Sequence, residues 1–136
     1  MKKYILVILV FFCLQLNAQN KILDAKKEIS EAAVIINRKM PVKIDDLTTA
    51  IIVKYNEKSN ELTYFFRVDD YYNSEIYKQG VDNFIQKSIL SGVEFIRNHP
   101  KNKTYIIAQL DFVYIYFDSN SKPICKYRIT PKDYNK

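Results

Sequence analysis

The chain has 136 residues and a net charge of +6, with only two glycines, two cysteines and one histidine. Glycine-rich phosphate loops, flexible linkers, disulfide frameworks and closed zinc sites are excluded, since each needs more of those residues than are present. The basic residues are scattered with no run of five like charges, which suits solubility and not a nucleic-acid footprint.

The first residues carry the three parts of a secretory leader: Lys2-Lys3, an apolar run from Tyr4 to Leu14, and the break Leu16-Asn17-Ala18-Gln19. The apolar run is shorter than the roughly 20 residues that span a bilayer, so no stable membrane span is expected once the leader is gone. A lipoprotein signal fails because Phe11-Phe12 stand before Cys13, where small residues are needed. The expectation is a signal peptide over residues 1–18, cleavage after Ala18, and one α+β domain over 19–136, exported to the periplasm or beyond. Loss of two lysines takes the charge to +4, and Cys125 is left without a disulfide partner.

Asn20 to Met40 reads as a helix, with Ile22, Ala25, Ile29, Ala32, Ala33, Ile36 and Met40 on one face and Pro41 as its stop. A short connector leads to a strand from Leu47 to Tyr55. Its alternation places Thr49, Ile51, Val53 and Tyr55 together. Asn56 to Asn60 is a turn, and the next strand runs to Val68 with Leu62, Tyr64, Phe66 and Val68 on one face. The two strands form an antiparallel hairpin.

A second helix starts at an N-cap on Asn73 or Ser74 and ends at Asn98-His99-Pro100. Its stripe contains Tyr77, Val81, Phe84, Ile85, Ile89, Val93 and Ile96. Gly80 and Gly92 lie near that stripe, where a missing side chain lets a strand approach. Thr104 to Ala108 reads equally as a strand start or a short separate element. The aromatic strand Asp111–Phe117 is apolar on both sides, as in a central strand covered on both faces. After a turn over 118–123 comes a half-buried strand, Ile124–Ile129, and a polar tail from Pro131.

The order helix, strand, strand, helix, strand, strand predicts two helices on one face of a four-stranded, mainly antiparallel sheet. The pattern does not determine strand order.

Catalytic chemistry finds little to work with. His99 sits where a helix meets a proline and reads as a C-terminal cap. Cys125 alternates inward with Tyr127 and Ile129, as a buried, inert thiol does. The doublets Asp45-Asp46 and Asp69-Asp70 lack the alternating oxygens and central glycine of a calcium loop, so they read as turn residues. No catalytic residue, metal ligand or cofactor is assigned. Tyrosine remains, because it offers rigid area with a polar tip. The expected contact surface is Tyr64, Arg67, Tyr71 and Tyr72, on the exposed sheet face and the connector beside it.

The spacing Asn37-x-x-x-Pro41-x-x-x-Asp45-x-x-Thr48, then Leu62-x-Tyr64-x-Phe66-x-Val68, then Tyr114-x-Tyr116-x-Asp118, resembles a group of small secreted bacterial α+β proteins of unknown function. The resemblance implies export and the fold, and it carries no activity. His99 stands about where that group has a cysteine, and no cysteine ends the chain, so any disulfide of the group is missing here. The expected function is binding, with another protein as partner, in an inhibitor- or immunity-type role. The alternative is a small envelope hydrolase or ligand carrier with a pocket between helices and sheet, in which Asp46, Asp69 or His99 would converge.

Overall fold

Two antiparallel hairpins frame the molecule. The computed structural model describes the backbone from Lys2 to Lys136 and the side chains from Ala18 onward, so the leader expected over 1–18 lies, apart from Ala18, outside the residues whose side chains are described. Strand β2 (Thr48–Asn56) returns as β3 (Glu61–Val68), and β4 (Asp111–Asp118) returns as β5 (Pro123–Ile129). The turns rest on side-chain oxygens accepting from nearby amides. Asn56 receives Lys58 and Ser59, and Asp118 receives Asn120 and Lys122.

The expected four-stranded sheet becomes five strands in the order β1-β2-β3-β4-β5. The added strand is β1 (Val42–Lys43), formed by the connector after Pro41, which pairs with the free edge of β2. The sheet is also mixed, since β3 and β4 run parallel with Glu61 beside Asp111 and Val68 beside Asp118. Parallel neighbours need a crossover, and residues 69–110 supply one that is entirely helical in its regular elements.

Helix α1 (Lys2–Asn37) ends before the expected Met40, in a turn over Arg38 and Lys39 that leads to a cis Met40–Pro41 bond. Ala25, Ile29 and Ala33, each four apart, are its buried stripe. The single second helix predicted after Ser74 is two. Ser74 caps α2 (Glu75–Gln79) by accepting from the Tyr77 amide, and Gly80, at φ +79°, turns the chain into α3 (Val81–Asn98). The Gly80 expectation is therefore wrong in kind. No strand approaches it, and its left-handed backbone is what the break requires. Gly92 is as expected: a Cβ there would lie 2.5 Å from Ile129 Cδ1 in β5.

A 3-10 turn (Pro100–Asn102) and α4 (Lys103–Ile107) follow, resolving the ambiguous 104–108 stretch as helix. The expected polar tail is the short helix α5 (Pro131–Tyr134), closed by a Thr130–Asp133 capping box. Its Tyr134 is 3 % exposed and donates to the Leu110 carbonyl at 2.8 Å, so the tail closes the core.

Ile29, Val53, Leu62, Ile96, Leu110, Phe112 and Ile129 form the main cluster, where α1, α3 and the sheet meet. Each such side chain stabilises the fold by about 1.5–3 kcal/mol on burial. A second cluster joins Val68, Ile76 and Cys125 under α2. All helices lie on one face, so β4 is interior in strand order but covered on one side only. Its Phe112, Tyr114 and Tyr116 face the helices, while Ile115 and Phe117 on the other face stay half-buried. Val113 there is fully buried, beside an Arg128 side chain that crosses β4 to reach Asp111 at 2.8 Å and Glu61 at 2.6 Å. The expected alternation of β2 is also shifted, because a bulge between Ala50 and Ile52 puts Ala50, Val53 and Tyr55 inward and Thr49, Ile52 and Lys54 outward.

Candidate functional site

The two long helices divide the covered face between them. Helix α1 packs on β2 and α4, whereas α3 packs on β5, α2 and α5, leaving β3 and β4 between. Strands β2 and β5 are three strand spacings apart, about 14 Å. Packed helices stand about 8–10 Å apart. The result is a shallow crease between the helices, into which Phe84 of α3 and Tyr105 of α4 reach edge-on against Tyr116 and Phe112.

Its floor is aromatic because the inward positions of two parallel strands fall side by side. Tyr64 stacks on Tyr114 at 5.3 Å between centroids, Phe66 on Tyr116 at 4.7 Å, and Tyr114 on Tyr127 at 4.8 Å. The rings are within 16° of parallel in these pairs, the offset geometry that aromatic pairs favour. Tyr64, Tyr114 and Tyr116 are half-buried. Ile36 and Met40 at the α1 side and Ile89 and Val93 from α3 pack, like Tyr64 and Tyr114, against the main core cluster and are partly buried. At the α2 end lies a cavity of about 230 Å³ that Phe66, Phe84, Ser88 and Tyr116 share with Asp45 and Glu75.

Burial pushes the phenols of Tyr64, Tyr114 and Tyr116 well above the ordinary tyrosine range, and neighbouring tyrosines add to the effect. They are neutral hydroxyls at any physiological pH. Burial raises the phenol of Tyr127, whose ring lies beside Tyr116, as well. Among the described side chains the Tyr64 and Tyr114 hydroxyls have no hydrogen-bond partner, and neither is sealed from solvent. The crease thus offers apolar area with two open donor-acceptor groups.

The predicted contact residues fall in three places. Tyr64 is on the crease floor. Arg67 is on the opposite, helix-free face and is held by Asp69 at 2.7 Å. Tyr71 and Tyr72 lie in the connector, packed with Tyr77. Asp46 is in the β1–β2 loop, Asp69 is paired on the helix-free face, and His99 ends α3, so the three do not converge. His99 does cap: its amide donates to Phe95 and its Nδ1 accepts from Lys101. Burial pushes the Cys125 thiol up to about 11, as expected of an inert side chain. Among the described residues no group of acidic, histidine and cysteine side chains is arranged to hold a metal.

Sequence reasoning placed Tyr114 and Tyr116 in the core and missed the cavity that Tyr116 shares with Phe66, Phe84 and Ser88. The signal was the inward aromatics of two strands, but the sequence does not say that β3 and β4 are neighbours in the sheet, which is what brings those rings together.

The residues of the secreted-protein resemblance are structural. The Asn37 side chain accepts from the Val53 amide at 2.8 Å and donates to its carbonyl at 2.6 Å, acting as one more residue of strand on the β2 edge. The Asp45 carboxylate accepts from Leu47 and Thr48, setting the start of β2.

The profile of a family described as a domain of unknown function, DUF8479, matches residues 24–125. Three solved structures share the fold. A candidate secreted protein of Pseudomonas aeruginosa superposes with a TM-score of 0.63 at 10 % identity, over 83 % of this chain and 95 % of the other. EpsS, a pilotin of the Vibrio vulnificus type 2 secretion system, gives 0.59 at 9 % identity over 85 % and 96 %. AspS, the type II secretion system pilotin of Vibrio cholerae, gives 0.57 at 8 % over the same shares. No curated protein matches at the level of sequence.

Proposed function

The chain belongs to the DUF8479 family, and from that premise and the open crease we propose an exported binding protein that grips a segment of another protein between α1 and α3. The observation that carries this reading is the aromatic floor over β3 and β4, which opens at the α2 end into the cavity shared by Phe66, Phe84, Ser88 and Tyr116. An amphipathic helix lying across the crease, with a row of apolar side chains pointing down, suits its shallow floor. Each half-buried ring that it covers adds on the order of 1 kcal/mol. The fold shared with two pilotins of secretion systems supports a role in the cell envelope.

Export is part of the proposal. The leader is residues 1–18, and the mature domain is 19–136. Among the described residues the core begins at Ala25, seven residues beyond the proposed cleavage after Ala18. No helix of the described residues is long and apolar enough to cross a membrane. N-terminal sequencing of protein recovered from cells is expected to read from Gln19; a retained Met1 refutes processing.

The binding claim is tested with Ser88→Arg, which drives a long cation into the crease, beside Ile115→Lys on the helix-free face. Capture from envelope extracts is expected to recover one stoichiometric partner with the wild-type and Ile115→Lys proteins and to lose it with Ser88→Arg. Equal recovery by Ser88→Arg, with circular dichroism unchanged, removes the crease as the site.

A further inference from the structure

The parallel strand pair, β3 and β4, ends at Val68 and Asp118, and the loops beyond these ends border a second depression, of about 280 Å³. One wall is Tyr71 and Tyr72; the other is the β4–β5 turn, with Asp118, Lys122, Pro123 and Ile124. Open sheets with parallel strands place ligands beyond such carboxyl ends, where loops diverge.

The tyrosines form a fixed platform. The rings of Tyr71, Tyr72 and Tyr77 make a triangle with sides of 5.5, 5.4 and 5.2 Å, packed edge to face or tilted. Tyr72 is 71 % exposed and Tyr77 51 %, so broad ring surface stands in water without cover. The loop beneath is pinned, since Ser74 bonds the Tyr71 carbonyl through both its amide and its hydroxyl, and Asp70 holds Asn73. The opposite turn is pinned too, because Asp118 Oδ1 accepts from Asn120 and Lys122 at 2.9 Å each. Two rigid walls lower the ordering cost of binding.

Between them stand one acceptor and one donor. Asp118 Oδ2 and Lys122 Nζ have no partner among the described side chains. The pair is neutral overall, which gives no net attraction to a cation or an anion. Exposed tyrosine faces bind the C–H face of a ring, and a carboxylate beside an ammonium binds hydroxyls as acceptor and donor together. A sugar ring presents both features at once, whereas an acyl chain carries no hydroxyl and the Ser, Thr and Tyr hydroxyls of a peptide strand are not fixed around a C–H ring face. We propose that this depression is a saccharide site, in which one pyranose ring of a neutral glycan stacks on Tyr72 and bonds Asp118 and Lys122. The site is separate from the crease, so it stands whether or not the crease binds a protein.

The test is a nuclear magnetic resonance titration of the full domain with three probes: a β-1,4-linked N-acetylglucosamine tetramer, cellotetraose and maltotetraose. At least one is expected to produce saturable shifts confined to Tyr71, Tyr72, Tyr77 and residues 118–124. Tyr72→Ala, at a position too exposed to matter for folding, is expected to weaken that binding about tenfold or more, and Tyr72→Phe to keep it. Lys122→Met weakens it without moving the melting temperature. The proposal is overturned if none of the probes shifts these residues at about 10 mM, a range in which single-ring contacts are visible. Unchanged binding in Tyr72→Ala overturns it as well. So does a Tyr72→Ala variant that loses a captured protein while no saccharide shifts the site, which would assign the tyrosines to a protein contact.

Discussion

Asn37 shows how much one side chain can settle. Its amide satisfies both main-chain groups of Val53 on an otherwise open strand edge, where an exposed edge invites pairing with other chains. Asn37→Ala removes both bonds, and the expected loss is about 1–3 kcal/mol, read as a lower urea midpoint with unchanged slope. The tyrosines bear on the alkaline side. Tyr64, Tyr114 and Tyr116 are raised above the ordinary value, so the folded state resists ionisation that the unfolded state undergoes near pH 10. Their contribution is fully present below that pH and is lost as pH rises beyond it. Phenolate absorbance is expected to rise in step with unfolding above about pH 10; a smooth native titration of these three at their ordinary value would refute the burial described. Residue chemistry was the most legible level of the sequence. Cys125 is buried and His99 caps a helix, as their neighbours implied. Asn37 was visible as part of a spacing, but nothing in the sequence says that its target is Val53, because that contact is made in space.

At the level of elements, the contact of α3 with β5 depends on Gly92. Adding a methyl group there places it 2.5 Å from Ile129 Cδ1, and because Ile129 is fully buried its side-chain tip must shift within the core. Gly92→Ala improves helix propensity by about 1 kcal/mol, yet overpacking costs about 1–3 kcal/mol. The expected net effect is a lower melting temperature, with Gly92→Ala, Ile129→Val recovering part of it. A Gly92→Ala variant more stable than wild type would show that α3 moves away freely. Periodicity revealed the four longer strands, the hairpins and the stripe of α3, and missed the two-residue β1. It could not reveal the break at Gly80, because apolar spacing continues across it and only the positive φ interrupts the helix. The β2 bulge was hidden for a similar reason: one extra residue in Thr49–Ile52 changes which face follows without changing composition. Helix α5 was read as a tail because one buried tyrosine among five polar neighbours leaves no period.

At the scale of the molecule, two facts that make the candidate sites lay beyond a linear reading. Parallel pairing of β3 with β4 aligns the aromatic rows into one floor and gathers Tyr71, Tyr72 and Asp118 at one end. Neither follows from alternation, which is the same in parallel and antiparallel sheets. The same seam bears on the order of events in folding. Each hairpin closes over a short turn, whereas β3 meets β4 only after the whole helical insert between them has collapsed, and contacts so distant in the chain form slowly. The two halves are therefore expected to take shape early and to spend most of the folding time finding one another. Asp118→Ala, which loosens a turn, should slow refolding; Gly92→Ala, which spoils a late contact, should mainly hasten unfolding, and the two arms of a chevron distinguish these outcomes. For the export proposed above that delay is a gain, because halves that join slowly leave the chain without its central seam for longer on the near side of the membrane.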